Sequence, residues 1–551
     1  DYVHSLGHCQ RCETVIEPRI STQWFVKIKP LAEPAIKAVQ EGRIRIIPER
    51  FTKVYYTWME NIRDWCISRQ LWWGHRIPVW YCDDCGELIV AMEDPASCAH
   101  CGSNKINQDP DVLDTWSSSG LWPFSTLGWP DESNDMSYFY PTSVMETGYD
   151  ILFFWVARMI MLGLEMTGDI PFHTVYLHGL VRDELGRKYS KSLGNALDPI
   201  EVIEDYGTDA LRFSLVTSST PGNDTKLSLQ KVEAARNFAN KIWNAARFVV
   251  GNLGESYRPA TWNLAALTLA DRWIISRHNR LIANVTHLME EYQFGEAGRQ
   301  IHDFLWNEFC DWYIEISKIR LYGDRVRHQM TARRVLVHVL ERTLRLLHPF
   351  MPFVTEEIWQ YLPHGNDVAS VEALIIAPWP EPGEVDEAAE EEMGRIMEIV
   401  RAIRNARAEY EVEPGRCIEA LIAAGDKHDL LAAQKKILIT LARLDADKLK
   451  LAHTLFDKPS QALALVVGGI EIYLPLAGMV DLATERERLA GEVEKATWQI
   501  ARSEALLADE NFTTKAPAHV VNRERQKMER LHERRRKLAE RLKSLQPANG
   551  E

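Results

Sequence analysis

At 551 residues the chain is too long for one hydrophobic core and should divide into about three to five domains. Hydrophobic content of 46% and charged content of 26% are ordinary for globular protein. The net charge of −14 excludes simple electrostatic attraction to nucleic acid as the main principle. The longest apolar stretch, Ile151 to Leu164, is cut by Arg158 and is too short to cross a bilayer. It reads as a buried helix, and no membrane partner is expected.

The opening Asp-Tyr-Val-His has neither a basic start nor an apolar run, so no signal peptide is visible and the cytoplasm is the default compartment. A start inside what reads as a loop suggests that upstream sequence has been removed. Residues 1–60 mix strand-like runs, such as Gln23 to Lys27, with an amphipathic helix near 31–41. Residues 61–110 hold a Trp-rich segment and two close cysteine pairs. From 110 to 190 the pattern alternates: an apolar helix over 148–164, a buried strand from Thr174 to Val181, then a polar loop with glycine. That is α/β patterning with a parallel sheet.

Beyond about 200 the helical period takes over. Residues 228–251 and 271–365 hold at least five amphipathic helices, which reads as a bundle. Within it Trp306, Phe309, Trp312 and Tyr313 can stack bases or form a core stripe, and their spacing favours the stripe. Pro-rich 378–383 and the acidic run after it read as a linker; residues 381–400 carry eight Asp/Glu against Arg395 alone. Residues 394–480 look like a small α+β unit, with a helix over 391–409, a strand from Cys417 to Ala423 and a Gly-Gly hairpin inside Leu463 to Leu476. In the last segment Leu482, Leu489, Val493, Ala496, Ile500 and Leu507 keep a 3/4 spacing. After Lys515-Ala-Pro517 the spacing resumes from Val521 to Leu545, which predicts an antiparallel coiled-coil hairpin. Its second arm is basic: residues 511–545 hold eleven Lys/Arg against four Glu. A polyanion would be met by such a local surface, and Arg523, Arg530, Arg534 and Lys537 are the candidate phosphate contacts, although a solvated basic face reads the same way.

Six of the nine cysteines form C-x-x-C pairs, a spacing that favours zinc over disulfides. Cys82 and Cys85, then Cys98 and Cys101, supply four thiolates at knuckle spacing for a tetrahedral, structural Zn²⁺. Cys9 and Cys12 are half of a site whose partner lies upstream, or are metal-free. Cys66, Cys310 and Cys417 are scattered among apolar neighbours.

The strand ending at Val181 leads into a loop with Lys188-Tyr-Ser190-Lys191-Ser192. At the end of a buried strand in an α/β sheet, such a loop sits where these folds bind ligands. Two lysines with hydroxyls beside them suit the charge that develops on a transferring phosphoryl group. His178-Gly-Leu-Val followed by Lys188-Tyr-Ser-Lys-Ser192 resembles the second ATP motif of class I aminoacyl-tRNA synthetases, with Tyr189 where methionine is usual. Trp65-Cys-Ile-Ser-Arg-Gln-Leu-Trp-Trp-Gly-His-Arg-Ile-Pro78 is similar to the valine enzymes of that class. So are Asp111-Val-Leu-Asp-Thr-Trp116, Thr147-Gly-Tyr-Asp150-Ile-Leu-Phe-Phe-Trp155, Arg236-Asn-Phe-Ala-Asn-Lys-Ile-Trp-Asn244 and the terminal Asn511-Phe-Thr-Thr-Lys-Ala-Pro517 run.

The resemblance implies ATP-dependent ligation of valine to tRNA(Val) through a valyl-adenylate, with ATP and Mg²⁺, and a monomer. It gives Gly148 and Asp150 to the ATP ribose, and His178, Gly179 and Leu180 to the adenine. Lys188 and Lys191, flanked by Ser190 and Ser192, go to the phosphates, and Trp116 and Trp155 wall the valine pocket. Tyr206 to Arg212 resembles a segment that packs on the tRNA acceptor stem. The implied fold is multidomain, α/β plus all-α. It assigns 1–60 to a connecting segment, 61–110 to the Trp-rich segment and zinc knuckle, and 111–195 to the second half of a Rossmann-like catalytic domain. Then come a stem-contact region (196–262), an anticodon-binding helical bundle (263–370), a small α+β junction (371–481) and the coiled-coil tRNA arm (482–551). The family's first ATP motif, His-Ile-Gly-His, occurs nowhere, nor does the editing insertion expected before Cys9. Two rival readings follow: a non-catalytic, zinc-stabilised tRNA-binding fragment, and an isoleucine or leucine enzyme.

Overall fold

The computed structural model describes residues 5–9, 12–189, 195, 197–254, 257–259, 264–364, 371–456, 459, 461–479, 482–509, 512–513 and 516–544. The chain divides into two compact units, residues 1–235 with 287–297 and residues 236–286 with 298–551.

The first unit is built on a parallel sheet. Strand β1 (Arg45–Ile47) and strand β2 (Thr142–Gly148) flank a central strand β3 (Phe172–His178), and both pair with it in parallel. Between β2 and β3 the chain makes a short turn at Tyr149–Ile151, wide π-type turns over Leu152–Ala157 and helix α2 (Arg158–Thr167). Gly168 ends α2 at φ +79°, a left-handed cap that a residue with a Cβ rarely adopts. This is the βαβ crossover that parallel neighbours require. Helix α1 (Lys29–Gln40) presents Ala32, Ala35 and Ala38 to a core shared with Ile44, Ile46, Met145, Val156, Ile160, Phe172, Val175 and Leu177.

The amphipathic helix expected near 31–41 is Lys29–Gln40; strand Arg45–Ile47 and helix Arg50–Glu60 follow it within the expected connecting segment 1–60. Two expectations change here. The helix expected over 148–164 begins later, and Thr142–Gly148 is a strand that patterning missed. Its Thr-Ser-Val-Met-Glu-Thr-Gly run has no apolar streak, because as an edge strand it buries only Met145, Thr147 and Gly148. The strand expected from Thr174 to Val181 breaks at Gly179 and Leu180, resuming as Val181–Arg182 beside Thr225–Lys226.

Largely within the second unit lie the helices Leu229–Gly251, Leu269–Glu290, Val326–Leu347 and Pro352–Trp359, with three consecutive helical segments, α-helical Phe294–Asp303, π-helical Phe304–Ile314 and α-helical Glu315–Leu321. Asp271, fully buried, takes a bidentate ion pair from Arg320 (2.6 Å to each oxygen) and a hydrogen bond from the Tyr313 hydroxyl (2.6 Å). Phe309, Trp312 and Tyr313 are buried, and Arg401 and Arg404 cover the Trp312 ring. They are core, not a base-stacking platform. The proline-rich linker is also packed: Asn279 donates to Glu384 O (2.7 Å) and Trp379 to Thr286 (2.8 Å). The acidic run begins helix Glu387–Glu409, capped by the Asp386 side chain, and Glu390 pairs with Arg277 and Arg280.

A four-stranded sheet follows, Leu444–Ala452, Ile418–Ala423, Ile470–Pro475 and Ala462–Val467 in spatial order. The Gly-Gly hairpin is as expected; the polar strand Leu444–Ala452 was not read from sequence. Cys417 is exposed rather than among apolar groups. Helices Leu482–Ala508 and Ala518–Ser544 lie against each other and bury Leu489, Ala496, Ile500 and Val521. Contacts of Ser503 with Glu524 (2.8 Å) and Glu492 with Arg534 (3.4 Å) make the pair antiparallel.

Candidate active site

In a parallel sheet the strands release their C-terminal ends at one edge, and there the predicted residues gather. Gly148 ends β2 directly opposite His178, the last residue of β3. The His178 ring reaches back, with Nε2 3.3 Å from the Glu146 carboxylate and Nδ1 2.7 Å from Gly179 O. Gly179 is dictated by a close approach: a Cβ there would lie 1.7 Å from the Asn223 carbonyl oxygen. The segment after Ser219 crosses over the strand end at this point. The Asp224 carboxylate accepts from Leu180 N–H (2.9 Å) and from the Arg182 guanidinium. Arg50 donates to Gly222 O (2.7 Å) and to the Asn223 side chain (2.8 Å), fixing the segment from the other side.

The loop carrying the lysines is clasped at its root. Asp183 accepts from Arg187 N–H (2.8 Å), Arg187 Nε (2.7 Å) and the Asn195 amide (3.0 Å). The Asn195 amide, with Arg187, holds the Asp183 carboxyl down at about 2. A bridge between Arg182 and Lys188 closes the hairpin, and Lys188 Nζ comes within 3.6 Å of Asp150 Oδ2. Gly148, Asp150, His178, Gly179, Leu180 and Lys188 are thus brought together. Ser190, Lys191 and Ser192 lie outside the described residues.

Beside Asp150 opens a cleft of about 210 Å³ lined by Phe51, Val54, Trp58, Phe153 and Phe154 among others. Trp116 does not line it; its ring stacks on Phe154, which does, at 6.1 Å. Trp155 faces Trp122 and donates its indole N–H to Ser119 O (3.0 Å). Sequence reading missed Arg50, Glu146, Arg182, Asn223 and Asp224. The run Thr220-Pro-Gly-Asn-Asp224 is a strong turn signal and was the available pointer to two of them.

In the cysteine segment, strands Val79–Cys82, Leu88–Val90 and Ile106–Gln108 bring the two pairs together. Cys82 and Cys101 Sγ are 3.6 Å apart, and Cys85 and Cys98 Sγ are 3.7 Å apart. A tetrahedral ion with bonds of about 2.3 Å to sulfur needs edges of about 3.8 Å, so the donor set fits Zn²⁺. The Cys101 backbone N–H holds the Cys98 thiol down at about 7. Cys9 and Cys12 are in a separate turn, where the Cys12 thiol donates to Thr14 Oγ1 (3.3 Å). On the terminal hairpin Arg523, Arg530, Arg534 and Lys537 are exposed.

Three family profiles match successive stretches: "tRNA synthetases class I (I, L, M and V)" over 10–228, "Anticodon-binding domain of tRNA ligase" over 271–422, and "Valyl tRNA synthetase tRNA binding arm" over 481–546. The Mycobacterium tuberculosis methionyl-tRNA synthetase in complex with methionyl-adenylate is similar in fold, with a TM-score of 0.51 over 70% of this chain and 72% of that one, at 18% identity. The profiles are those of class I aminoacyl-tRNA synthetases, and the fold resembles one. The valine–tRNA ligase of Dehalococcoides mccartyi strain 195 is 56% identical over 96% of this chain and 60% of its own length. That of Carboxydothermus hydrogenoformans is 51% identical, over 98% and 61%. The chain belongs to the valine–tRNA ligase family, and it spans about three-fifths of the length of these curated relatives.

Proposed function

We propose that this chain supplies the second part of a catalytic site that joins valine to tRNA(Val) through a valyl-adenylate. The observation that carries this is the convergence of Asp150, His178 and Lys188 at the C-terminal edge of the parallel sheet, where α/β folds bind nucleotides. Gly148 and Asp150 meet the ATP ribose, Asp150 accepting from its hydroxyls. His178, Gly179 and Leu180 frame the adenine. Lys188 and Lys191, with Ser190 and Ser192, neutralise the phosphates, which bind with Mg²⁺, as the valine carboxylate attacks the α-phosphorus and pyrophosphate leaves. Trp116 and Trp155 are the residues the family resemblance gives to the amino-acid pocket; neither lines the cleft beside Asp150, and Trp116 stands behind Phe154.

Cys82, Cys85, Cys98 and Cys101 hold a structural Zn²⁺ that stands in for a core this segment is too small to build. Cys9 and Cys12 offer half of a second tetrahedral set. The helical bundle takes the anticodon side of the tRNA, and the basic face of the terminal coiled coil takes its phosphates. Among the described residues no helix is long and apolar enough to cross a membrane.

A second reading is a tRNA-binding, zinc-stabilised part with no chemistry of its own; its support is the match of residues 481–546 to the profile of a valyl tRNA synthetase tRNA binding arm. Valine-dependent ATP–pyrophosphate exchange by the 551-residue chain, set beside filter binding of tRNA(Val), separates the two. Exchange supports a working site. Binding without exchange supports the second reading, and neither activity overturns both.

A further inference from the structure

Away from the nucleotide site, the small α+β part of the second unit brings two histidines face to face. Strands Ile418–Ala423 and Leu444–Ala452 run parallel, so both leave the sheet at the same edge. There Ala424 N–H donates to Ala452 O (2.8 Å) and Gly425 N–H to His453 O (3.0 Å), which ties the two exits together. The turn Gly425–Lys427 opens directly into helix His428–Ala433. His428 and His453 stand with ring centroids 4.3 Å apart and planes inclined by 26°. Asp429 Oδ1 lies 3.2 Å from His428 Nδ1, and the ligand atoms of all three residues fall within 4.8 Å of one another.

We propose that His428, Asp429 and His453 form a second, exchangeable metal site, for a borderline divalent transition ion such as Zn²⁺ or Ni²⁺. Two imidazoles select that class over Mg²⁺ or Ca²⁺, which prefer all-oxygen shells. Donors bound to one ion at about 2.1 Å stand about 3.0–3.4 Å apart, from right-angle to tetrahedral geometry. The 3.2 Å between His428 Nδ1 and Asp429 Oδ1 falls in that range, and His453, whose donor lies within 4.8 Å of the other two, moves inward to complete the set. The His453 ring is already oriented: its Nδ1 lies 3.0 Å from Gly425 O, and as the N–H tautomer it donates there and leaves Nε2 as the lone-pair donor. A backbone carbonyl in this role is what fixes the tautomer and direction of a metal-binding histidine. The Gly425 peptide holds His453 twice, through its backbone carbonyl and through its ring. Asp429 is 98% exposed and His428 26%, so water completes the shell, and the ion exchanges with solvent. A bound ion would pin the start of helix His428–Ala433 to the end of strand Leu444–Ala452.

The test uses tag-free 551-residue chain given one equivalent of Zn²⁺ for its four-cysteine cluster and then dialysed against metal-free buffer, which empties the exchangeable site. Calorimetric titration with Ni²⁺ should show one site per chain, and the ion should raise the unfolding midpoint by mass action. His428→Ala and His453→Ala should each weaken Ni²⁺ more than the roughly 10–100-fold that loss of an outer-shell partner costs. Asp429→Asn should weaken it about tenfold, while His519→Ala, a control far along the sequence, should change nothing. All four positions carry at least partly exposed side chains, and circular dichroism checks that each variant folds. An isotherm unchanged in the His428→Ala/His453→Ala double variant overturns the proposal. No Ni²⁺ uptake by the unaltered chain also overturns it, and leaves the 3.2 Å contact a hydrogen bond only.

Discussion

Lys188 Nζ lies 3.6 Å from Asp150 Oδ2, although one residue closes a surface hairpin and the other follows the end of a sheet strand. Their side chains are 62% and 39% exposed, so the contact adds little to stability. Its value is positional: a lysine parked on a carboxylate by a weak tie can transfer to a phosphate when nucleotide arrives. In an enzyme carrying the family's full catalytic domain, Lys188→Ala should lower kcat for valine-dependent exchange by roughly 10²–10³. KM for valine should hardly move, because the charge acts on the transition state. An unchanged exchange rate would remove Lys188 from the phosphates.

The sulfur separations of 3.6 and 3.7 Å lead to a metal prediction. The reduced chain should carry one tightly bound Zn²⁺ at the four-cysteine site. Cys82→Ser should release it and raise protease sensitivity within residues 79–108. Well-folded, reduced protein without zinc by elemental analysis would refute this.

Removing the positive charge of Arg523, Arg530, Arg534 and Lys537 should weaken tRNA binding and flatten its dependence on salt. Each lost phosphate contact reduces the slope of log K against log salt by about 0.7–0.9. Valine activation should be untouched. Matching slopes for altered and unaltered protein would reduce the arm to a solvated face.

His278 is fully buried among the bundle helices, and burial first, then His338 and Arg342, pushes its pKa well below the usual 6.5. The folded state therefore keeps it neutral where the unfolded chain takes a proton. The stability this contributes is complete above about pH 6.5 and is lost as pH falls toward the depressed folded value, at up to about 1.4 kcal/mol per pH unit. His278→Leu should flatten the fall in the unfolding midpoint between about pH 6.5 and 5. An identical pH profile for the two proteins would show that other groups set the acid limit.

Asp271 has no exposed surface and neutralises Arg320 through both carboxylate oxygens. Asp271→Ala leaves a buried guanidinium unpaired and should cost roughly 3–5 kcal/mol by denaturant unfolding of the second unit. The double replacement Asp271→Ala/Arg320→Met should recover much of that loss. Failure to recover would mean the carboxylate matters mainly through Tyr313 and the Thr268 cap.

Local chemistry determined a good deal. Four cysteines at C-x-x-C spacing, the heptad stripe of Leu489, Ala496 and Ile500, and the Gly-Gly hairpin at 468–469 each depend on neighbours close in sequence. They were legible for that reason, as were the motif residues at His178 and Lys188. Only the tertiary structure decided the rest. Strands Thr142–Gly148 and Leu444–Ala452 are polar edge strands that exist because a buried parallel partner pairs with them, so no apolar pattern announces them. Gly179 is glycine because the Asn223 backbone crosses it, and Asp224 orients Leu180 and Arg182 from beyond that crossing. The linker at 378–383 became packed surface because Thr286 accepts from Trp379 within it and Asn279 donates to Glu384 O directly after it. The meeting of Lys188 with Asp150, and of His428 with His453, follows from parallel strands ending at a common edge, a relation between distant segments that composition and spacing do not carry.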